Sequence, residues 1–93
     1  MFMAWYCYIL KCADRTFYTG ITNDIKRRID EHNHDNKLSS KYVRVRRPVK
    51  LVYLERIDSK NQALKRENEI KDWNRDKKIQ LIHCYGADFT ERK

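Results

Sequence analysis

Two short stretches of alternating side chains, joined by a turn, open the chain and constrain its fold more than any other feature. The first stretch alternates as a β-strand with two different faces does, with Tyr6, Tyr8 and Leu10 against Cys7, Ile9 and Lys11. A turn at 13–15 and a second stretch at 16–20 predict that the chain closes a hairpin. An isolated hairpin is marginally stable in water, so other elements must cover it.

The rest of the chain supplies those elements. A helix is predicted at 25–32, then a strand at 50–55, and then helices at about 60–73 and 76–84. Ser59, followed three residues later by Gln62, is a capping box that opens the second helix. We therefore predict one α+β domain over 1–93, a small three-stranded antiparallel sheet flanked by helices in the order β-β-α-β-α-α. Its core is expected at about 5–84 and a loose tail at 85–93.

The composition favours an anionic partner. A formal charge of +8 on 93 residues is typical of proteins that bind DNA, RNA or a negative surface. No apolar run approaches the roughly 20 residues of a membrane span, and the N-terminus does not read as a signal peptide. We therefore expect a cytoplasmic protein with no membrane partner. The three cysteines lack the paired spacing of a zinc site and are expected to be reduced and buried.

A long basic connection separates the first helix from the third strand. No acidic residue occurs between Asp35 and Glu55, while this segment carries six lysines and arginines. Connections of this length inside a small domain are uncommon and are often functional. One alternative is a solvated surface loop. We favour a nucleic-acid contact, since cations and an aromatic residue suit a phosphate backbone and a base, through Lys41, Tyr42, Arg44, Arg46, Arg47 and Lys50.

Polar side chains also fall on the apolar faces of two predicted helices. Helical geometry places Glu67 within the apolar stripe of Ala63 and Ile70. A carboxylate there is costly unless it is paired with a cation or binds a metal, and both alternatives stay open. On the first helix, Arg28 and His32 share one edge of the buried face. This pair is either a satisfied core histidine beside an arginine or a site suited to a phosphate.

Four motifs in order resemble the GIY-YIG nuclease superfamily, and its small single-domain members most closely. They are "YCYIL", "YTG", "RRIDEH" and the glutamate within "ALKRENEIK", and the resemblance covers about 5–84. The glycine that is usual in the first tripeptide is replaced here by Tyr6. The resemblance implies a catalytic set of Tyr8, Tyr18, Arg28, His32 and Glu67.

The resemblance also implies the role of each member. Tyr18 would act as the general base and Tyr8 would orient the attacking water, with both tyrosines facing each other on one side of the hairpin. Arg28 would stabilise charge on the phosphate, and His32 would contact the phosphate or relay a proton. Glu67 would hold one Mg²⁺ or Mn²⁺ ion.

One glycine position adds an expectation and a departure. Gly20 would let the backbone pass close to the substrate. In some relatives a lysine two to three residues after the second tyrosine assists that tyrosine, but Gly20 and Ile21 occupy these positions here.

The predicted function is a metal-dependent endonuclease acting on DNA, with DNA repair as the expected setting and RNA as an open alternative substrate. Two further alternatives remain at this point. The first is a nucleic-acid-binding module without catalysis. The second is a nuclease subunit that is active only with a protein partner, which exposed Trp5 or Trp73 would favour.

Overall fold

A computed structural model describes residues 4–86 and shows the predicted α+β class. Its strands and helices are β1 (Trp5–Lys11), β2 (Phe17–Thr22), α1 (Ile25–His34), α2 (Lys41–Arg44), β3 (Lys50–Ile57), α3 (Lys60–Lys71) and α4 (Arg75–Leu81), followed by a π-helical turn (Ile82–Gly86). The predicted element order is confirmed, with α2 as an addition. The π-helical turn reaches Gly86, and residues 87–93 lie outside the described part, so the loose tail predicted at 85–93 stays a prediction. No helix within 4–86 has the length and apolar content needed to cross a bilayer.

The first strand is the centre of the sheet. The strand order is β2-β1-β3, and both neighbours run antiparallel to β1. The pairing of β1 with β3 shifts between Ile9 and Leu10, which is the sign of a bulge. Side chains along β1 alternate between the two faces of the sheet, and an apolar cluster covers each face, so β1 contributes to two separate layers of core.

Each face of the sheet has its own apolar cluster. On one face, Tyr8 and Leu10 pack with Val43 and with the α1 residues Ile25 and Ile29. On the other face, Cys7, Ile9 and Tyr53 pack with Ile70 of α3 and with Leu81 and Ile82 near the end of the described chain. The sheet is therefore sandwiched between α1 with α2 on one side and α3 with α4 on the other.

Short polar side chains set the helix starts. Asp24 caps α1 by accepting from the backbone N–H of Arg27, and Ser59 caps α3 by accepting from Gln62 as the capping box predicts. Helix α3 ends at Lys71, two residues before the predicted end. The next helix begins at Arg75, capped by Asn74.

The long connection is more structured than the sequence pattern predicts. Ser40 caps α2 by accepting from the backbone N–H of Val43 at 3.1 Å. This helix has four residues, and one turn is too short to show a helical period in the sequence. Of the cysteines, Cys7 and Cys12 are buried as expected, whereas Cys84 is exposed because it lies in the terminal π-helical turn.

Candidate active site

The two tyrosines lie on one face of the sheet but are not directly opposite each other. In the register of β1 and β2, Tyr8 pairs with Gly20 and Leu10 pairs with Tyr18, so the tyrosines are diagonal neighbours with ring centroids 6.5 Å apart. A Cβ atom at Gly20 would lie 2.5 Å from the Tyr8 hydroxyl oxygen. The glycine therefore makes room for the Tyr8 ring, a structural requirement that the sequence analysis did not identify.

His32 joins the tyrosines to α1. Its Nε2 lies 3.0 Å from the Tyr8 hydroxyl oxygen, in hydrogen-bonding distance, and both side chains are almost completely buried. The Tyr18 ring meets the His32 ring edge-on, with centroids 5.3 Å apart. Burial raises the pKa of Tyr8, and the negative charges of Tyr18 and Glu67 would raise it further, while the Arg28 guanidinium opposes them. Tyr8 is thus a neutral phenol at physiological pH.

Burial also keeps His32 neutral. Removal from water lowers the pKa of His32 to about 4, and the nearby positive charge of Arg28 acts in the same direction. Its Nδ1 has no hydrogen-bond partner among the described residues. Of the two roles expected for His32, a direct phosphate contact would require access to a side chain with no exposed surface. Its bond to Tyr8 favours positioning of that hydroxyl.

The depressed pKa of His32 predicts a loss of stability in acid. The unfolded chain takes up a proton on this imidazole near pH 6.5, whereas the folded protein resists it down to about pH 4. The free energy of unfolding should therefore fall as the pH is lowered through this window, by up to about 3 kcal/mol from His32 alone. Urea unfolding at a series of pH values would measure it. His32→Gln, which keeps a polar partner for Tyr8, should flatten that part of the profile, and an unchanged profile would contradict the assignment.

Arg28 is held beside the tyrosines by two oxygens. Its Nη1 donates to the Glu31 carboxylate at 2.9 Å and to the Leu38 carbonyl at 2.8 Å. Burial alone would lower the pKa of Arg28, but its bonds to Glu31 and its proximity to Tyr8 raise it. The guanidinium is therefore a fixed positive charge at the edge of the Tyr8–His32 pair.

Glu67 lies on the buried side of α3, as the helical pattern predicts. Ala63 and Ile70 on the same helix are fully buried, and the Glu67 side chain is 15% exposed. One carboxylate oxygen lies 3.3 Å from Lys71 Nζ, so the cation pairing that the sequence left open is present. The charge of Glu67 also acts on Tyr8, which ties α3 electrostatically to the tyrosines.

The residues present fit a magnesium-type ion better than a caged metal. Within the described part of the chain, no three His, Cys, Asp or Glu side chains converge as a metal cage would require. Magnesium is commonly held by one or two carboxylates together with substrate phosphates and waters, so it needs no such cage. Glu67 is partly exposed and its ion-pair partner Lys71 is flexible, so its carboxylate suits that mode of binding.

A hollow of about 220 Å³ opens beside Tyr18. Tyr42 of α2 forms one wall, stacked on Tyr18 with ring centroids 6.2 Å apart. Lys71 and Lys78 also line it. Neither lysine is among the residues that the sequence predicts for the site. The i,i+4 spacing of Glu67 and Lys71 was a usable signal, whereas nothing local connects Lys78 to the hairpin.

The predicted nucleic-acid contacts divide into three groups. Lys41, Tyr42 and Arg44 are exposed on α2, and the Arg46 guanidinium lies 3.8 Å from the centre of the Tyr42 ring. Lys50 is exposed at the start of β3, at a different hollow.

Arg47 forms the third group, because its donors are used inside the protein. It donates to the carbonyls of His32 and Asp35 and to the side chains of Asn36 and Ser39. Its role as a nucleic-acid contact stays a prediction. Its position as a clamp on the end of α1 is a structural feature.

The tryptophans do not form an open surface. Trp5 and Trp73 are both half-buried, and cations cover them. Lys60 lies over Trp5, while Arg66 and Lys77 lie over Trp73. The feature that would have favoured a partner-dependent subunit is therefore lacking at these two residues.

The arrangement is that of a compact α+β domain in which a three-stranded sheet gathers phenolic, imidazole and guanidinium groups on one face. A family model described as the GIY-YIG catalytic domain matches residues 4–80. The chain therefore belongs to the GIY-YIG family, a nuclease superfamily.

Similar proteins are of similar size. The UPF0213 proteins of Staphylococcus saprophyticus and Syntrophus aciditrophicus are each 53% identical over 77 residues, which is 83% of this chain and 92% and 87% of theirs. The solution NMR structure of a UPF0213 protein from Bacillus halodurans has a TM-score of 0.60 at 40% identity, covering 94% of this chain and 90% of that one. A second NMR structure, of a protein from E. faecalis, has a TM-score of 0.59 at 31% identity, covering 87% and 84%.

Proposed function

We propose that the protein is a divalent-metal-dependent endonuclease that hydrolyses DNA with Tyr18 as the general base. The observation that carries this proposal is the cluster of Tyr8, Tyr18, Arg28 and His32 on one face of the sheet. Each occupies the position to which the family resemblance gives a catalytic role. Membership of a nuclease superfamily supports the reaction class.

The different surroundings of the two tyrosines support a division of labour. Tyr8 is buried, bonded to His32 and kept protonated by its raised pKa, so it can orient a water but is poorly suited to take its proton. Tyr18 is half-buried and faces the hollow that Lys71 and Lys78 line. At the positions after the second tyrosine where some relatives carry a lysine, this chain has Gly20 and Ile21. Lys71 and Lys78 are instead the cations that line the hollow beside this tyrosine.

In the proposed reaction, the phenolate form of Tyr18 takes a proton from water and becomes a phenol, while the water oxygen forms a bond to the phosphorus. The bond from phosphorus to the 3′-oxygen then breaks, its electron pair leaves with that oxygen, and the oxygen takes up a proton from solvent water. Tyr18 returns its proton to solvent. Arg28, a fixed cation at the site, stabilises the negative charge that gathers on the phosphate oxygens. His32 holds the Tyr8 hydroxyl in place for the attacking water.

Glu67 is the residue proposed to hold Mg²⁺ or Mn²⁺. Its carboxylate is partly exposed, and its partner Lys71 can move aside because its side chain is flexible and half-exposed. When bound, the ion would polarise the phosphate and stabilise the leaving 3′-oxygen.

The basic surface of α2 supports a nucleic-acid substrate. Lys41 and Arg44 flank Tyr42 along α2, and Arg46 lies over the Tyr42 ring, which stacks on the proposed general base. The cations would bind the phosphate backbone, and Tyr42 would lie between them and the reacting centre at Tyr18. DNA is the proposed substrate, DNA repair the proposed setting and the cytoplasm the proposed location, with a protein partner as a possible source of substrate choice.

A cleavage panel tests the function directly. Single-stranded, duplex, nicked, flapped and branched DNAs carrying a label are incubated with the protein and Mg²⁺ or Mn²⁺, with EDTA as the control and one RNA included. We expect cutting of at least one DNA with metal and none in EDTA. Binding without cutting across the panel would contradict the nuclease and favour a non-catalytic nucleic-acid-binding module.

A further inference from the structure

A second hollow, of about 330 Å³, lies at the end of the sheet away from Trp5. It is lined by Lys11, by the turn after β1, by Pro48 and Val49, and by Arg15 and Lys50. All three of these cations are exposed, and no acidic residue lines the hollow. Within residues 4–86, Lys11, Arg15 and Lys50 form no salt bridge. The hollow is therefore a concave surface with three unneutralised positive charges.

Two of these cations are directly opposed in the sheet. Lys11 of β1 pairs with Lys50 of β3, so their side chains leave the same face with Cβ atoms about 5 Å apart. Like charges at directly opposed positions destabilise a sheet. A pair of this kind is understandable where an anion is bound between the two ammonium groups, because the anion converts the repulsion into two attractions.

Arg15 provides an independent observation. Its backbone has a φ of 71°, the left-handed region that glycine and asparagine adopt more easily. A three-residue hairpin turn requires this conformation at its last residue, and here the N–H of Cys12 donates to the Thr16 carbonyl and the N–H of Arg15 to the Cys12 carbonyl. The turn therefore fixes the point at which the Arg15 side chain leaves the backbone. The neighbouring Asp14 does not neutralise Arg15, since its carboxylate pairs with Arg46 at 3.0 Å.

The hollow also continues the basic surface of α2. The backbone N–H of Ala13 donates to the carbonyl of Arg46 at 2.9 Å, which fixes the turn against the end of that segment. On β1 the side chain of Lys11 points to the opposite face of the sheet from Tyr8 and Leu10, since residues along a strand alternate between its faces. A bound nucleic-acid strand would therefore reach the hollow by passing the turn at the end of the sheet.

We propose that Lys11, Arg15 and Lys50 form a second phosphate-binding site, which holds the nucleic-acid backbone beyond the turn at the end of the sheet, away from the cleaved bond. The proposal rests on the proposed function, because it assigns this site to the same substrate. It gives the substrate strand two fixed points, the reacting phosphate and this hollow. Two points set the direction of the strand over the surface of the protein, which one point cannot do.

Binding in EDTA separates this site from catalysis. The probe is a fluorescently labelled DNA that the wild-type protein binds, titrated at a series of salt concentrations with wild type and with Lys11→Gln/Lys50→Gln. We expect weaker binding and a salt dependence of log K that is less steep by about 0.9 for each phosphate that the variant no longer neutralises. The melting temperature should be unchanged or higher, since the opposed charges are gone.

A matched control removes the same charge elsewhere. Lys60→Gln/Lys65→Gln alters two exposed lysines of α3, of which Lys65 lines a hollow together with Glu55 and Glu69 and Lys60 lies over Trp5. Its salt dependence should equal that of the wild type. Arg15→Gly is the second test variant, because glycine suits the local backbone and should weaken DNA binding without lowering the melting temperature.

Two outcomes would overturn the inference, and only one of them would also overturn the proposed function. If the wild type binds DNA and the Lys11/Lys50 and Lys60/Lys65 variants show the same salt dependence, the second site is wrong and the nuclease proposal is untouched. If the wild type binds no nucleic acid of the panel, the proposed function fails and the second site fails with it.

Discussion

Replacing Tyr18 with phenylalanine should slow DNA cleavage by about 10²- to 10⁴-fold, the usual contribution of a general base. The substitution removes only the phenolic oxygen. The ring contacts with Tyr8, His32 and Tyr42 remain available to phenylalanine, so the melting temperature should hardly change. Single-turnover cleavage with saturating protein and metal would measure the chemical step, and binding in EDTA should match the wild type.

Tyr42→Phe is the matched control for this variant. Tyr42 stacks on Tyr18 in the same hollow, so both variants lose one hydroxyl from neighbouring rings. The control should cleave within a few-fold of the wild-type rate. Wild-type cleavage by Tyr18→Phe would show that another group takes the proton, and equal losses in both variants would point to the hollow rather than to one base.

Replacing Glu67 with glutamine should abolish metal-dependent cleavage while leaving DNA affinity in EDTA nearly unchanged. Glutamine keeps the size of the side chain but loses the charge that attracts a divalent cation. The ion pair with Lys71 is also lost, but a helix pair at this spacing contributes only about 0.3–0.5 kcal/mol to stability. Cleavage rates across a Mg²⁺ titration, with thermal melting in parallel, would measure both effects.

Glu69→Gln provides the comparison on the same helix. Glu69 pairs with Arg66 at 2.6 Å and is more than half exposed, away from the tyrosines. This variant removes the same charge and one ion pair, and it should cleave as the wild type does. An equal fall of affinity and cleavage in Glu67→Gln would contradict a metal-binding role, because it would place the carboxylate in substrate binding.

The sequence predicted the elements whose signals are local. Alternation along β1, the cap at Ser59 and the apolar stripe of α3 each lie within a few residues, and each predicted element is present. Glu67 could be singled out for the same reason, since a carboxylate among apolar side chains stands out on a single helix. The chemistry of Glu67 could not be settled in this way, because it depends on side chains beyond its own helix.

The features that the sequence left unpredicted depend on strand register and on contacts between distant segments. The diagonal placement of Tyr8 and Tyr18 follows from the pairing of Tyr8 with Gly20, and one step of slip would have changed it. Lys78 reaches the hollow beside Tyr18 only because α4 folds back on the sheet. The opposition of Lys11 and Lys50 similarly joins two strands that are far apart in the chain.

The internal bonds of Arg47 have a thermodynamic consequence for recognition. By clamping the end of α1 to the segment that carries α2, this side chain keeps the neighbouring cations Arg44 and Arg46 on a fixed frame. A flexible basic loop would lose conformational entropy when it meets a polyanion, and that loss would weaken the complex. A surface that is already ordered before binding avoids this loss of entropy. Such a surface also cannot rearrange to fit a nucleic-acid backbone of a different shape. Selectivity for the path of the strand would then be set by Arg47, a residue that need not touch the nucleic acid.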